Sequence, residues 1–198
     1  MSDTTINTSN LKTDTTKKTI IAALFAALTC VGTMIIKIPT PTLGYIHPGD
    51  GFVLLSGLLL GPFWGSLAAG FGSALSDLIG GYFIYVPATF IIKALTAITA
   101  YFICKPIAKH IHTKTALPAL IISGVAGEAV MVFGYFVFEI FMLSVLNDVT
   151  LSAGVIASLA GIIPNIIQGI FGVIISSVLY PLLRRCLRSN NTGFVCLI

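Results

Sequence analysis

The chain has 198 residues, of which 56% are hydrophobic and only 9% are charged, and its mean hydropathy is +1.00. A water-soluble domain carries about 25% charged residues to wet its surface, so this composition excludes a soluble fold and predicts one all-α integral membrane domain in the cell membrane. The net charge of +4 is expected in loops and termini, where it indicates orientation in the bilayer rather than a nucleic-acid partner.

The N-terminal segment, residues 1–17, is rich in Ser, Thr, Asn and Asp, which predicts a disordered cytoplasmic N-terminus. The first predicted span covers residues 20–38. Small residues spaced by four allow helices to approach closely in lipid, and ordinary alanine content is the alternative explanation for them here. The four alanines concerned form two neighbouring pairs: Ala22 with Ala26, and Ala23 with Ala27.

The next segment, IPTPTLGYIHPGD, contains three prolines and two glycines, which predicts an irregular backbone over residues 38–50. Such a backbone cannot lie exposed to lipid, because its polar groups would be unsatisfied. We therefore expect it to cap the protein or to fold into the mouth of a cavity. Asp50 is placed near the outer face, where solvation or helix capping is a better explanation for it than ligand contact.

Residues 50–80 are predicted to cross the membrane twice, as short glycine-rich spans joined at residues 61–64. The reason is the distribution of cations, since loops rich in Lys and Arg stay in the cytoplasm. Two crossings place all three basic clusters on the cytoplasmic side and leave Lys37 outside. These clusters lie within residues 12–18, 105–114 (Lys105, Lys109 and Lys114) and 184–188.

Three further spans are predicted at residues 83–104, 117–146 and 151–183, with an outer turn at Asn147-Asp148. The expected architecture is six transmembrane helices with both termini in the cytoplasm. The membrane domain covers residues 18–185, and residues 186–198 form a cytoplasmic tail. The four cysteines have neither metal-ligand nor paired spacing, so we expect no disulfide.

Polar side chains are scarce within these spans, and most of them share a helix face with another polar or small residue. Glu128, Tyr135 and Glu139 are spaced by seven and four residues, which places them on one face. Only a shared interior cavity satisfies such groups without exposing them to lipid. A second face carries Gly161, Asn165, Gln168 and Gly172, and two further charged residues within the spans are Asp77 and Lys93.

Each polar residue has a structural alternative to ligand binding. Lys93 either contacts a ligand or pairs with Asp77 or Glu128. Asn165 and Gln168 either contact a ligand or bridge helices by hydrogen bonds. Glu139, near the predicted outer face, is interpreted as solvated.

Aromatic residues accompany the polar ones, and they suit stacking on a flat heterocycle as well as core packing or an interfacial belt. They are Tyr82, Tyr85, Phe90 and Tyr135. The sequence has no GxxxxGK[ST] phosphate loop and no HExxH zinc motif. It therefore predicts neither an ATPase nor a metal-dependent enzyme, and no cofactor is expected.

Several segments match a known family of membrane proteins: the alanine-rich first helix, IHPGDGFVLLSGLLLGP, GSALSDLIGGYFIYVPATFIIK, GYFVFE and IPNIIQG. On these segments, residues 19–185 resemble the substrate-binding S components of energy-coupling factor (ECF) vitamin transporters. Within that family the chain is most similar to the group for riboflavin and related heterocyclic vitamins, which includes vitamin B6 and hydroxymethylpyrimidine members.

The resemblance implies six helices, one vitamin bound near the outer face, and delivery by a partner module. That module is a transmembrane coupling protein driven by two ATPase subunits, so ATP is used by the partners. The docking residues would be Ala22, Ala23, Ala26 and Ala27. The vitamin site would comprise Asp77, Tyr82, Tyr85, Phe90, Lys93, Glu128, Tyr135, Asn165 and Gln168.

The absence of arginine from the predicted spans disfavours a strongly anionic substrate. A B6 vitamer such as pyridoxine is the first expectation, followed by hydroxymethylpyrimidine and then by riboflavin. Two other classes remain as alternatives. One is a stand-alone proton-coupled carrier that uses Glu128 and Lys93, and the other is a structural membrane subunit that binds no small molecule.

Overall fold

The computed structural model describes residues 8–40, 44–110, 117–146 and 150–189, and these residues are almost entirely helical. Five helical segments in this part of the chain are long and apolar enough to cross a membrane. The elements in chain order are α1 Thr8–Ile35, β1 Ile38–Pro39, β2 Tyr45–Ile46, α2 Asp50–Gly80, α3 Val86–His110, α4 Leu117–Phe141, a π-helical turn Met142–Leu146, and α5 Leu151–Ser189.

The predicted spans begin within three residues of α3, α4 and α5, but α3 and α5 continue six residues beyond the predicted ends at 104 and 183. Helix α1 begins at Thr8 and therefore extends into the segment that composition predicted to be disordered. Lys114 and the predicted outer turn Asn147-Asp148 lie outside the described residues. The cytoplasmic placement of the two termini stays a prediction.

Helix α2 is not straight, because the chain turns back on itself at Gly61. This residue has φ 84° and ψ 179°, a backbone region that essentially only glycine occupies. The Ser56 hydroxyl donates to the Gly65 carbonyl over 2.9 Å, although nine residues of straight helix would separate them by about 13 Å. Residues 50–60 and 62–80 therefore pack antiparallel, and we call them the first and second arms of α2.

The first arm lies at the centre of the bundle, and nearly all of its side chains are buried. Helix α2 packs against α1, α3 and α5, and α4 packs against α3 and α5. At 1.5 Å per residue the first arm is about 16 Å long, roughly half of the hydrocarbon thickness of a bilayer. The structure thus supports a reversal within residues 50–80, while the count of six crossings stays a prediction.

Glycines allow this central arm to approach its neighbours at backbone distance. A methyl group on Gly51 would lie 2.6 Å from Cβ of Ile175, and one on Gly57 would lie 3.0 Å from Cα of Ala97. A methyl group on Gly57 would also lie 2.9 Å from the Ala97 carbonyl carbon, and real Cβ atoms essentially never approach other heavy atoms within 3.0 Å. Helix association in lipid depends on such packing rather than on the hydrophobic effect, so these glycines hold α2 against α5 and α3.

Candidate functional site

The centre of the bundle contains an ion pair between the first arm of α2 and helix α3. Lys93 Nζ lies 2.5 Å from Asp50 Oδ1, and both side chains are 0% exposed. The other Asp50 oxygen accepts a 2.7 Å hydrogen bond from Gln168 Nε2. The prediction that Asp50 is a solvated or capping residue is therefore wrong. Lys93 pairs with neither Asp77 nor Glu128, the two partners that the sequence suggested.

His47 connects the irregular segment before α2 to this pair. Its backbone amide donates to Gln168 Oε1 over 2.9 Å, and its Nδ1 accepts from the Gly49 amide over 3.1 Å. Burial lowers the pKa of His47 to about 3, so the ring is neutral at physiological pH. Because Nδ1 accepts a hydrogen bond, the ring proton lies on Nε2.

A small polar cavity lies next to these contacts, between the β1–β2 ribbon and the ends of the helices. Its volume is about 30 Å³, enough for about two waters, whereas a site that holds a small organic molecule measures about 300–1,000 Å³. The cavity in this structure is therefore too small for such a molecule. It is lined by Thr40, Gly44, Tyr45, His47, Asp77, Tyr82, Tyr85, Thr89, Tyr135, Asn165 and Gln168.

Hydrogen bonds between side chains hold two of the lining tyrosines in place. Tyr45 donates to Asp77 Oδ1 over 2.6 Å, and burial together with the Asp77 charge raises the pKa of the Tyr45 phenol well above its ordinary value. Tyr135 donates to Thr89 Oγ1 over 3.1 Å, and its ring centroid lies 5.2 Å from Lys93 Nζ. The ring faces that border the cavity are thus fixed before any ligand arrives.

Six of the nine predicted vitamin-site residues line this cavity: Asp77, Tyr82, Tyr85, Tyr135, Asn165 and Gln168. Lys93 lies beside the cavity and is occupied by Asp50. Phe90 does not contribute, because its ring packs edge-on against Phe71 at a centroid distance of 4.9 Å. The two predicted polar faces are confirmed, since all their members are buried in the bundle. Glu139 is one of them and is only 3% exposed, so its predicted solvation is wrong.

Glu128 lies apart from the small cavity, between α4 and α5. Its carboxylate rests against Gly169 and Gly172 of α5, and at Gly172 it lies next to Asp50. The residue also borders an apolar groove of about 810 Å³ between the two helices. The structure therefore separates Glu128 from the tyrosine-lined cavity, although the sequence placed both in one site.

Sequence reasoning missed five of the lining residues, although the sequence contains a signal for each of them. Tyr45 and His47 belong to the proline-rich segment that was expected to fold into a cavity mouth, which is where the structure has them. Thr89 precedes Lys93 by four residues, so the two share a face of α3. Thr40 and Gly44 belong to the same proline-rich segment and share its signal.

The Lys93–Asp50 pair is expected to stabilise the fold only while both partners are present. Lys93→Met leaves a buried carboxylate without a cation, and we expect the free energy of unfolding to fall by roughly 3–5 kcal/mol. The double variant Asp50→Leu/Lys93→Met removes both charges and should recover most of that loss. Thermal unfolding in detergent can be followed with a thiol-reactive dye in a Cys186→Ser/Cys196→Ser background, because the remaining Cys30 and Cys104 are buried. A double variant as unstable as the single one would contradict this account.

Most of this chain matches a known family of proteins. Residues 13–185 match the family model described as ECF-type riboflavin transporter, S component. The chain is also 31% identical over 156 residues to an uncharacterized protein in a gap 3' region of Pyrococcus woesei, covering 78% of this chain and 93% of that relative. The chain therefore belongs to the family of ECF-type riboflavin transporter S components, which are membrane-embedded transport proteins.

Proposed function

We propose that this chain captures a small heterocyclic vitamin in the tyrosine-lined cavity and delivers it to an ECF transport module. The observation that carries the proposal is the lining of the cavity, where four tyrosine rings surround amide and hydroxyl groups. Rings bury a flat heterocycle, while a few polar groups set its orientation. Hydroxyl groups and a ring nitrogen on the ligand would pair with Asn165, which offers both donors and acceptors.

The size of the cavity favours a small vitamin over riboflavin. Any ligand must enlarge a cavity of about 30 Å³. We expect the β1–β2 ribbon to be the part of the wall that moves, because it does not belong to a helix. A single pyridine or pyrimidine ring requires less displacement of that wall than the three fused rings of riboflavin. The proposed substrate is therefore a B6 vitamer or hydroxymethylpyrimidine, with riboflavin as the alternative.

The two amides that line the cavity should respond differently to truncation. Gln168 bonds to Asp50 and to the His47 backbone, so Gln168→Ala should lower both vitamin affinity and melting temperature. Asn165→Ala should weaken vitamin binding roughly ten- to hundredfold with little change in melting temperature. Titration calorimetry on the purified protein, across a panel of pyridoxine, hydroxymethylpyrimidine and riboflavin, measures the affinity.

The matched control for Asn165→Ala is Phe90→Leu. Phe90 contacts Phe71 rather than the cavity, so its truncation should leave vitamin affinity unchanged. Unchanged affinity in Asn165→Ala, or an equal loss in Phe90→Leu, would place the vitamin site elsewhere.

We propose that only two of the four alanines in α1, Ala23 and Ala27, form the docking surface. Ala22 is 7% exposed and belongs to the hydrophobic core, and Ala26 packs against the second arm of α2 at Gly72. Ala23 and Ala27 are exposed on the outer side of the helix. The first pair therefore joins α1 to its own bundle, and the second pair remains open to a partner helix.

Bulky side chains on the outer alanines should separate uptake from binding. Ala23→Trp and Ala27→Trp are expected to abolish vitamin uptake in cells that contain the coupling protein and ATPases, because Trp prevents close approach of a partner helix. Vitamin binding by the purified variants should be unchanged. Ile156→Trp, at a position 70% exposed on α5, is the control. Uptake that survives in both alanine variants would rule out this docking face.

Six crossings with both termini in the cytoplasm are proposed because α2 folds back at Gly61. The turn would then reach the cytoplasmic side, so a cysteine at Phe63, which is 64% exposed, should be labelled from that side. In a cysteine-free background, Phe63→Cys should react with an impermeant thiol reagent in inverted vesicles but not in intact cells. Labelling of intact cells would contradict the proposed topology.

A further inference from the structure

The mouth of the small cavity contains a cation-binding recess that is filled by a side chain of the protein itself. Lys37 Nζ lies 4.4 Å from the centroid of the Tyr45 ring and 5.5 Å from that of Tyr82. The two rings are 4.6 Å apart and tilted by 48°. A cation over an aromatic face is attracted by the negative face of the ring, so the two tyrosines form an electrostatically favourable corner.

Two further features of this corner attract positive charge. The Tyr45 hydroxyl bonds to the Asp77 carboxylate, which is 4% exposed and interacts electrostatically with Lys37. The ammonium group also lies against Gly80, at the carboxyl end of helix α2, where the helix dipole is negative. The two tyrosine rings, the Asp77 carboxylate and the helix end thus all attract positive charge.

The other lysine near the cavity, Lys93, also acts on the Asp77 charge, but its ammonium is held by another carboxylate. Lys93 is committed to Asp50 at 2.5 Å, and among the residues that line the cavity none is Lys or Arg. Lys37, between α1 and β1, is thus the lysine whose ammonium lies over the two rings. It is only partly buried and its stem is flexible, so it can withdraw into water at small cost.

On the basis of the vitamin-binding function proposed above, we infer that the substrate carries a positive charge on its ring, which replaces the Lys37 ammonium between Tyr45, Tyr82 and Asp77. The class includes pyridinium, protonated aminopyrimidine and thiazolium rings. The neutral ring system of riboflavin does not belong to it. Lys37 then acts as an internal competitor that occupies the recess until a cationic ring arrives.

The test uses two ligands of equal shape that differ only in charge. The cationic probe is 1-methyl-3,5-bis(hydroxymethyl)pyridinium, and the neutral probe is 3,5-bis(hydroxymethyl)toluene, in which carbon replaces the charged nitrogen. Dissociation constants are measured by ligand-observed NMR titration of the full chain in nanodiscs. We expect the cation to bind at least about tenfold more tightly than the neutral probe, because only the cation gains from the rings and the carboxylate.

Variants at Lys37 test the competition directly. Lys37→Gln should increase affinity for the cationic probe about fivefold, since one competing cation–π contact is lost, and should leave the neutral probe unaffected. Lys37→Arg keeps the competing charge and is the control, with wild-type affinities expected. Tyr82→Leu, which removes one ring, should weaken the cationic probe selectively.

The outcomes distinguish this inference from the proposed function. If the neutral probe binds as tightly as the cation, or if Lys37→Gln weakens the binding of both probes, the inferred preference for a cationic ring is overturned. The proposed vitamin-binding function would still stand. If riboflavin binds while neither probe does, the inference is likewise overturned and the proposed function stands. If neither the probes nor any vitamin of the panel binds, both are overturned.

Discussion

The buried pair of Lys93 and Asp50 is the contact on which the arrangement of this protein depends. Each charge would cost several kcal/mol if it were buried alone, so α3 and the first arm of α2 have to meet where the two charges coincide. Gln168, on α5, donates a hydrogen bond to Asp50 and so connects a third helix to the ion pair. Its side-chain oxygen also accepts a hydrogen bond from the backbone amide of His47. Three helices and the segment before α2 are thereby fixed relative to one another.

Close helix packing makes that meeting point possible. The first arm of α2 reaches the centre of the bundle because Gly51 and Gly57 present no side chains to α5 and α3. The reversal at Gly61 needs a positive φ that other residues adopt only with strain. In lipid, where apolar surface has little drive to associate, such fits provide much of the helix–helix stabilisation. By allowing the helices to pack closely, the glycines also bring the charges of Asp50 and Lys93 together.

The groups proposed for vitamin binding and for docking lie in two regions of the bundle. Four tyrosines, the Asp77 carboxylate and residues beside the ribbon line the cavity. The ammonium group of Lys37 lies over the ring of one of them, Tyr45. The outer alanines of α1 lie on a different surface, outside the hydrophobic core. A protein that binds a ligand and separately contacts a transport partner needs this separation, since docking then leaves the ligand contacts intact.

The sequence by itself determined the membrane class, the approximate span limits and the helix faces that carry polar groups. These properties follow from composition and periodicity, which act over a few turns of helix. Only the tertiary structure decided which faces meet. It paired Lys93 with Asp50, placed Tyr45 and His47 in the cavity wall, and kept Phe90 and Glu128 out of it. A periodic pattern identifies the buried side of a helix but not its neighbour, because that neighbour is selected by side-chain fit across long distances in the chain.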